Sequence, residues 1–371
     1  MSVQIFTLTH KPFTPPPDPL YIPLQVGRSG AENLGFPGDD TGDEISRLNP
    51  YFCELTGMYW IWKNYRTPGA VGVCHYRRYL LNEDGGLFTE KQLIPLLEKY
   101  DMITTKLLTL PCSYEQGFGA DHHKRDLDTT RAVLVEKYPE YVKTFDRLAR
   151  GTHTYFGNIF IASKRLYDSY CVWLFDLLFE VYARTDLTGY TGYQKRLFGF
   201  LAEFLQTVWI RHNGLSVCEC MVGMVGEKYE TRQLKEQLAA FFAKRDYAAA
   251  ESCFWDCYRK RPDVLMEASD VTGELRLCMQ IISTSRFEDE AYGRCILDSL
   301  RDYRSLIRHF HFLNTAVSHF INGQTDKEDL AFLKQSPLIT PIAVSISVRL
   351  FCPECSVQEM CGRLDRLRKE H

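Results

Sequence analysis

Residues 72–80 read GVCHYRRYL. The stretch starts in small and β-branched residues, as a buried strand does, and then sets His75, Tyr76, Arg77, Arg78 and Tyr79 consecutively where the strand should end. Two adjacent arginines after an apolar strand are costly to bury unless an anion meets them. In an α/β sheet the C-terminal end of a strand is where ligands sit, and an arginine pair there matches a phosphate or diphosphate in fork geometry. His75 is then placed to donate to a phosphate oxygen, and Tyr76 or Tyr79 to stack on a base or sugar.

Outward from this strand, helical and extended patterns alternate. VQIFTLT (3–9) reads as a strand running into His10 and a proline-rich loop that can be neither helix nor central strand. GRSGAENLGFPGDDTGDEIS is a long glycine- and aspartate-rich loop suited to substrate. Asn49-Pro50 starts a helix, with Asn as cap and Pro in the first turn, through YFCELTGMYWIWKNY, whose Phe52, Leu55, Tyr59 and Trp62 form one stripe. A helix near 89–99, a strand YDMITTK, a helix from about 126 to 149 interrupted near Pro139, a short strand before a long helix (155–184), a helix closed by Asn213-Gly214 and a last strand LSVCECMVGMV follow. The alternation predicts an α/β layer with a mainly parallel sheet over residues 1–228. From 229 to 371 the pattern is helical throughout: two helices break at Arg245-Asp246 and stop at Pro262, as in a tetratricopeptide-type (TPR-like) hairpin.

With 371 residues, two domains are expected. A net charge of −3 argues against nucleic acid held by bulk electrostatics, so any phosphate binding must be local. The 13 cysteines are odd in number and scattered, and MSVQIFTLTH lacks the basic and long apolar regions of a signal peptide, which points to reduced thiols in the cytoplasm. Cys352, Cys355 and Cys361, with Cys218 and Cys220, resemble parts of a zinc site, but no partnering pair follows. No apolar run approaches the ~18 residues of a membrane span, which leaves peripheral attachment open.

Three further constellations carry chemistry. In GADHHKRDL, consecutive side chains diverge, so Asp121, His122 and His123 suit a substrate-contacting loop better than a metal site, and Asp126 is expected to cap the next helix. In RLFGFLAEFL, Arg196, Gly199 and Glu203 share one helix face. A mid-helix glycine costs about 1 kcal/mol against Ala and usually clears space for a backbone or ligand. Glu203 beside that space is a candidate general base, or else the partner of Arg196. In YFGNIFIAS, the Asn158 amide suits sugar hydroxyls.

Taken in order, IFTLTHKPF…LYIPLQVG, GDEIS…NPYFCELTGMYWIWKN, GVCHYRRYL, YFGNIFI and YQKRLFGFLAEFL resemble the bacterial exopolysaccharide and capsule biosynthesis proteins of glycosyltransferase family 111, over about residues 1–228. The resemblance implies a GT-A-like nucleotide-sugar domain. It also implies an inverting galactofuranosyltransferase that uses UDP-galactofuranose on a glycan acceptor, lipid-linked acceptors included, in surface polysaccharide (capsule, exopolysaccharide or O-antigen) synthesis. Carried over, Thr9, His10, Gln25 and Gly27 fall in the region expected to hold the donor, with Tyr76, Asp40 and Asp43. His75, Arg77 and Arg78 stand where many GT-A enzymes keep an Asp-x-Asp metal motif. We therefore expect metal-independent diphosphate binding, with Mg²⁺ or Mn²⁺ as the alternative, and the guanidinium groups stabilising the departing UDP. Glu203 is the expected base, with Asp40 and Asp43 its rivals. The acceptor side is expected at Asp121, His122, His123 and Asn158. The chain departs from the pattern at Leu80, Ala202 and Phe204. Another hexose donor such as UDP-galactopyranose, or a non-catalytic assembly role with the helical region docking a partner, a second copy or the membrane surface, are the competing readings.

Overall fold

The computed structural model of the protein describes residues 2–265 and 270–351 and, beyond them, 358, 362, 363 and 366. It divides into two compact units, Met1–Val225 and Gly226–His371.

The first unit is built on an eight-stranded sheet. Its strands are β1 (Val3–Thr9), β2 (Tyr21–Gln25), β3 (Ala70–His75), β4 (Arg78–Leu80), β5 (Met102–Thr105), β8 (Phe160–Ser163), β9 (Val217–Cys220) and β10 (Val222–Met224), while β6 (Leu108–Thr109) and β7 (His153–Thr154) form a separate pair. β1 pairs parallel with both β2 and β3, and β5 parallel with β9. β8 runs antiparallel between β3 and β5, and β4 antiparallel to β3 and β10, so the expected mainly parallel sheet carries two reversed strands.

Both faces of the sheet are covered, which is why the inner strands read as continuous apolar runs rather than alternating ones. Phe6, Leu8, Val71, Val73, Phe160 and Ala162 enter one core with the helices Leu55–Asn64, Lys164–Arg184 and Leu197–His212. Val3, Ile5, Ala70, Cys74, Ile103 and Ile161 enter a second core, on the opposite side of the pleat, with Leu93 of the helix Glu90–Lys99.

Several expectations need correction. GVCHYRRYL does not end in a loop: Tyr76 and Arg77 make a two-residue turn, His75 pairs with Arg78, and the chain returns antiparallel as β4. LSVCECMVGMV is two strands, because β9 adds beside β5 while β10 adds beside β4. The helix begun at Asn49 stops at Phe52 and restarts at Leu55, broken at Cys53 (φ 51°, ψ −129°). Asn49 is not its cap. Its amide instead donates to the Cys53 carbonyl (2.7 Å) and to Thr56 Oγ1 (3.2 Å), holding the break in place. Asp126 is the third residue of the helix Lys124–Lys137, not its cap, and accepts the Tyr190 hydroxyl (2.7 Å).

The glycine-rich loop is tied by a residue not singled out in the sequence. Buried Asp39 accepts from the Gly27 and Arg28 backbone N–H groups (2.9 and 3.2 Å) and from Ser46 Oγ (2.5 Å).

The second unit is helical among its described residues, with its own core around Leu238, Phe254, Ile281, Phe310 and Leu313. Asp246 caps the helix Tyr247–Lys260 through the Ala249 N–H (2.9 Å), and Arg245 takes a left-handed backbone (φ 62°) at the break. Cys352, Cys355 and Cys361 lie outside the described residues. The described cysteines are free thiols, and no described helix is long and apolar enough to cross a membrane.

Candidate active site

Parallel pairing brings three donor-side candidates to one edge of the sheet: Thr9 lies opposite Gln25, and Leu8 opposite His75. Thr9 Oγ1 donates to the Lys11 carbonyl (2.6 Å), and Gln25 spans the loop by donating to the Glu32 carbonyl and accepting from Leu34 N–H. Both side chains thus shape the loops that leave this edge. Beside them a ring cluster forms: His10 and Phe13 meet Tyr76 edge-on at 5.6 and 5.9 Å, Phe36 meets Phe13 at 5.4 Å, and the Arg77 guanidinium stands 6.0 Å from the Tyr76 centroid. Phe13 and Phe36 were invisible in the sequence because they come from two loops with no shared pattern.

The chemical centre is a cluster of acids and bases on four elements. The segment Tyr155–Asn158 climbs the helix Leu197–His212 one turn at a time. Tyr155 N–H donates to Thr207 Oγ1 (2.9 Å), Gly157 N–H to Glu203 Oε1 (2.9 Å), and Asn158 Nδ2 to the Gly199 carbonyl (3.1 Å). Asn158 Nδ2 also donates to Glu54 Oε1 (2.7 Å). Gly157 (φ 94°) and Asn158 (φ 49°) both sit where only glycine, and less readily asparagine, is comfortable. This turn therefore grips one carboxylate from each of two helical segments.

Glu54 escaped the sequence reading. It is carried by the Cys53 break, a conformation costing roughly 1–3 kcal/mol for a non-glycine residue. Gly199 faces the break: a Cβ there would stand 3.4 Å from Cys53 Cβ and 3.9 Å from Glu54 Oε1, ordinary contact distances that an alanine would also satisfy. The expectation that this glycine clears space for a backbone or ligand is not what the contacts show, since its neighbour is the Cys53 side chain at ordinary distance.

The two carboxyls are driven apart. Burial and the Glu54 charge push Glu203 up to about 8, against the opposing pull of Arg78, Gly157 N–H and Arg196. Glu54 is also desolvated, yet His75, the Asn158 amide and Arg196 together hold it below the usual carboxylate range. Burial pushes His75 down to about 4, so it is neutral, and its Nε2 is buried with no hydrogen-bond partner. The contact expected from the sequence, His75 donating to a phosphate oxygen, remains open to the N–H of the neutral ring.

The arginines separate. Arg78, half-buried on β4, acts on both Glu203 and His75 and lies near Gly157. Arg77 is buried in the turn, and its carbonyl accepts the Val225 N–H (2.9 Å). The rival bases are engaged elsewhere: Asp40 faces Arg28 (3.5 Å), and Asp43 accepts Tyr59 Oη (2.8 Å) with Lys63 at 3.7 Å. Of the acceptor-side residues, Asn158 belongs to the cluster. Asp121 ends a helix at the surface, His123 packs on Tyr190 (4.6 Å), and His122 is buried among Phe118, Tyr193 and Phe200, its pKa pushed down to about 4 by burial. Among the described residues no three His, Cys, Asp or Glu side chains gather to hold a metal ion. A surface depression of about 300 Å³ by Tyr79, Leu87 and Met224 is lined by no carboxylate, histidine or arginine.

The sequence from the first strand through the carboxylate-bearing helix matches one family, residues 4–214, so every member of the cluster falls inside the match. The chain belongs to the family described as Domain of unknown function (DUF4422). No curated protein matches it. The chain is also similar to the apo structure of WbbM, a bifunctional glycosyltransferase, at 30% identity and a TM-score of 0.56. That likeness covers 61% of this chain and 46% of the other, so the chain spans less than half the length of WbbM.

Proposed function

We propose that the protein is a glycosyltransferase of polysaccharide synthesis whose residues 1–228 form a GT-A-like domain, transferring galactofuranose from UDP-galactofuranose to a glycan hydroxyl with inversion. The single observation that carries this reading is the cluster itself: two carboxyls with opposed proton affinities beside a cationic Arg78, at the edge where parallel strands end. The likeness to a glycosyltransferase supports the reaction class, and the resemblance of the motifs to family 111 supports the donor.

In this mechanism the ring cluster of His10, Phe13, Phe36 and Tyr76 receives the uracil, and Arg78, with Arg77 behind it, neutralises the diphosphate. The acceptor oxygen bonds to the anomeric carbon as its proton passes to ionised Glu203. The bond from that carbon to the phosphate oxygen breaks, and its electron pair leaves with UDP. Fixed guanidinium groups supply the stabilisation that a metal gives elsewhere. The helical unit, a TPR-like docking module in this proposal, joins the enzyme to a partner, a second copy or the inner membrane surface.

The test is a panel of sugar nucleotides read by UDP release, with and without EDTA. Turnover with UDP-galactofuranose that survives chelation supports the proposal. Turnover with a pyranose donor instead corrects the sugar, and no release with any donor leaves a non-catalytic role. Arg78→Ala should weaken UDP binding about tenfold or more, within the range of a charge-assisted contact, as measured by titration calorimetry.

A further inference from the structure

Glu54 reaches the cluster by an expensive route. The helix breaks at a left-handed Cys53, Asn49 bonds across the break, and Asn158, itself left-handed, spends one amide hydrogen on Glu54 and the other on the helix that carries Glu203. A carboxylate needed only to satisfy Asn158 could sit on an unbroken helix. We propose that Glu54 is the positioning residue of the site: clamped by Asn158, its fixed negative charge keeps the proton on Glu203 until substrate and pH remove it, which sets the pH at which the base works.

The groups facing Glu203 decide the balance. Arg78 from β4 and Arg196 from the start of the carrying helix draw its proton off, as does Gly157 N–H. Glu54 opposes them. The Cys53 thiol, pushed up by burial to about 11, and the buried Tyr114 phenol are both neutral neighbours. His75 faces Glu54 as a neutral ring. Among these groups Glu54 is the only one carrying negative charge at neutral pH, so its removal has one sign: Glu203 loses its proton more easily.

The kinetic readout rests on the transferase reading; the spectroscopic one does not. In the full-length protein, kcat/KM for UDP release is followed over about pH 5.5–9.5 in wild type, Glu54→Gln and Asn158→Gly. Glycine keeps the left-handed backbone while releasing Glu54. The acidic limb, near pH 8 in wild type, should move down by about half a unit or more in Glu54→Gln and by less in Asn158→Gly, with UDP affinity within about twofold of wild type. In parallel, the carboxyl C=O infrared band that Glu203→Gln abolishes is titrated, with no turnover required. Its midpoint should lie near 8 and fall in Glu54→Gln. An unmoved limb or midpoint overturns the proposal. So does loss of about a hundredfold or more at every pH in Glu54→Gln, which would make Glu54 the base itself. A midpoint that shifts in a protein that turns over no sugar nucleotide sustains the pairing and sinks the transferase reading.

Discussion

Glu203 holds its proton in the folded chain up to about pH 8, whereas an unfolded glutamate loses it near pH 4.3. Between those values the folded state binds a proton the unfolded state has released, so this side chain lowers stability progressively as pH rises through that window. Glu203→Gln lacks this dependence. Its melting temperature should exceed that of wild type by a margin that widens from pH 5 to 8 and then levels. Calorimetric scans across that range check the sign, and an equal margin at every pH would contradict the assigned proton affinity. The same variant should lose about a hundredfold or more in turnover at pH 8. Greater stability at the expense of activity is the usual mark of a strained functional group.

At the scale of elements, the site depends on how closely three segments approach. The helix Leu55–Asn64 lies tight on β1 because Gly57 faces Leu8 and Val26, where a Cβ would stand 2.8 and 2.7 Å away. Gly57→Val should therefore cost about 1–3 kcal/mol by overpacking and lower turnover by tilting the segment that bears Glu54. Gly199 is different, since a Cβ there meets Cys53 at ordinary contact distance. Gly199→Ala should be neutral or stabilising by up to about 1 kcal/mol through helix propensity, whereas Gly199→Leu should displace Cys53 and Glu54 and depress turnover. Urea denaturation and UDP-release rates distinguish the three. The helix shared by Gly199 and Glu203 was legible from spacing, because the 3.6-residue period is local, but Arg196 was expected on the same face and instead precedes the helix, in a 3-10 turn (Gln194–Arg196). The break at Cys53 was not legible. YFCELTGMYWIWKN has the apolar stripe of one continuous helix, and what stops it is an amide hydrogen bond from Asn49 and a partner, Asn158, in the turn before β8.

Across the whole molecule, the two units have separate cores. Phe310 is fully buried in the helical one, and Phe310→Ala should destabilise that unit by about 3–5 kcal/mol. UDP affinity, measured by titration at a temperature where both units are folded, should stay within about twofold. A parallel loss of UDP binding would show that the cores are energetically linked.

By itself the sequence determined the α/β class of the first unit, the helical character of the described residues of the second, the strand that bears His75 and the helix that bears Glu203. Each follows from hydrophobic period and from Gly and Pro, which act over a few residues. Only the tertiary structure decided that Tyr76 and Arg77 turn a hairpin, that Arg78 stands at the carboxylates, that Asp39 ties the loop, and that the Gly157–Asn158 turn holds both Glu54 and Glu203. These are contacts between residues as far apart as 54 and 158, or 157 and 203. Proton affinity depends on burial and on charges brought through space. No local pattern in GVCHYRRYL or LFGFLAEFL encodes which charge arrives.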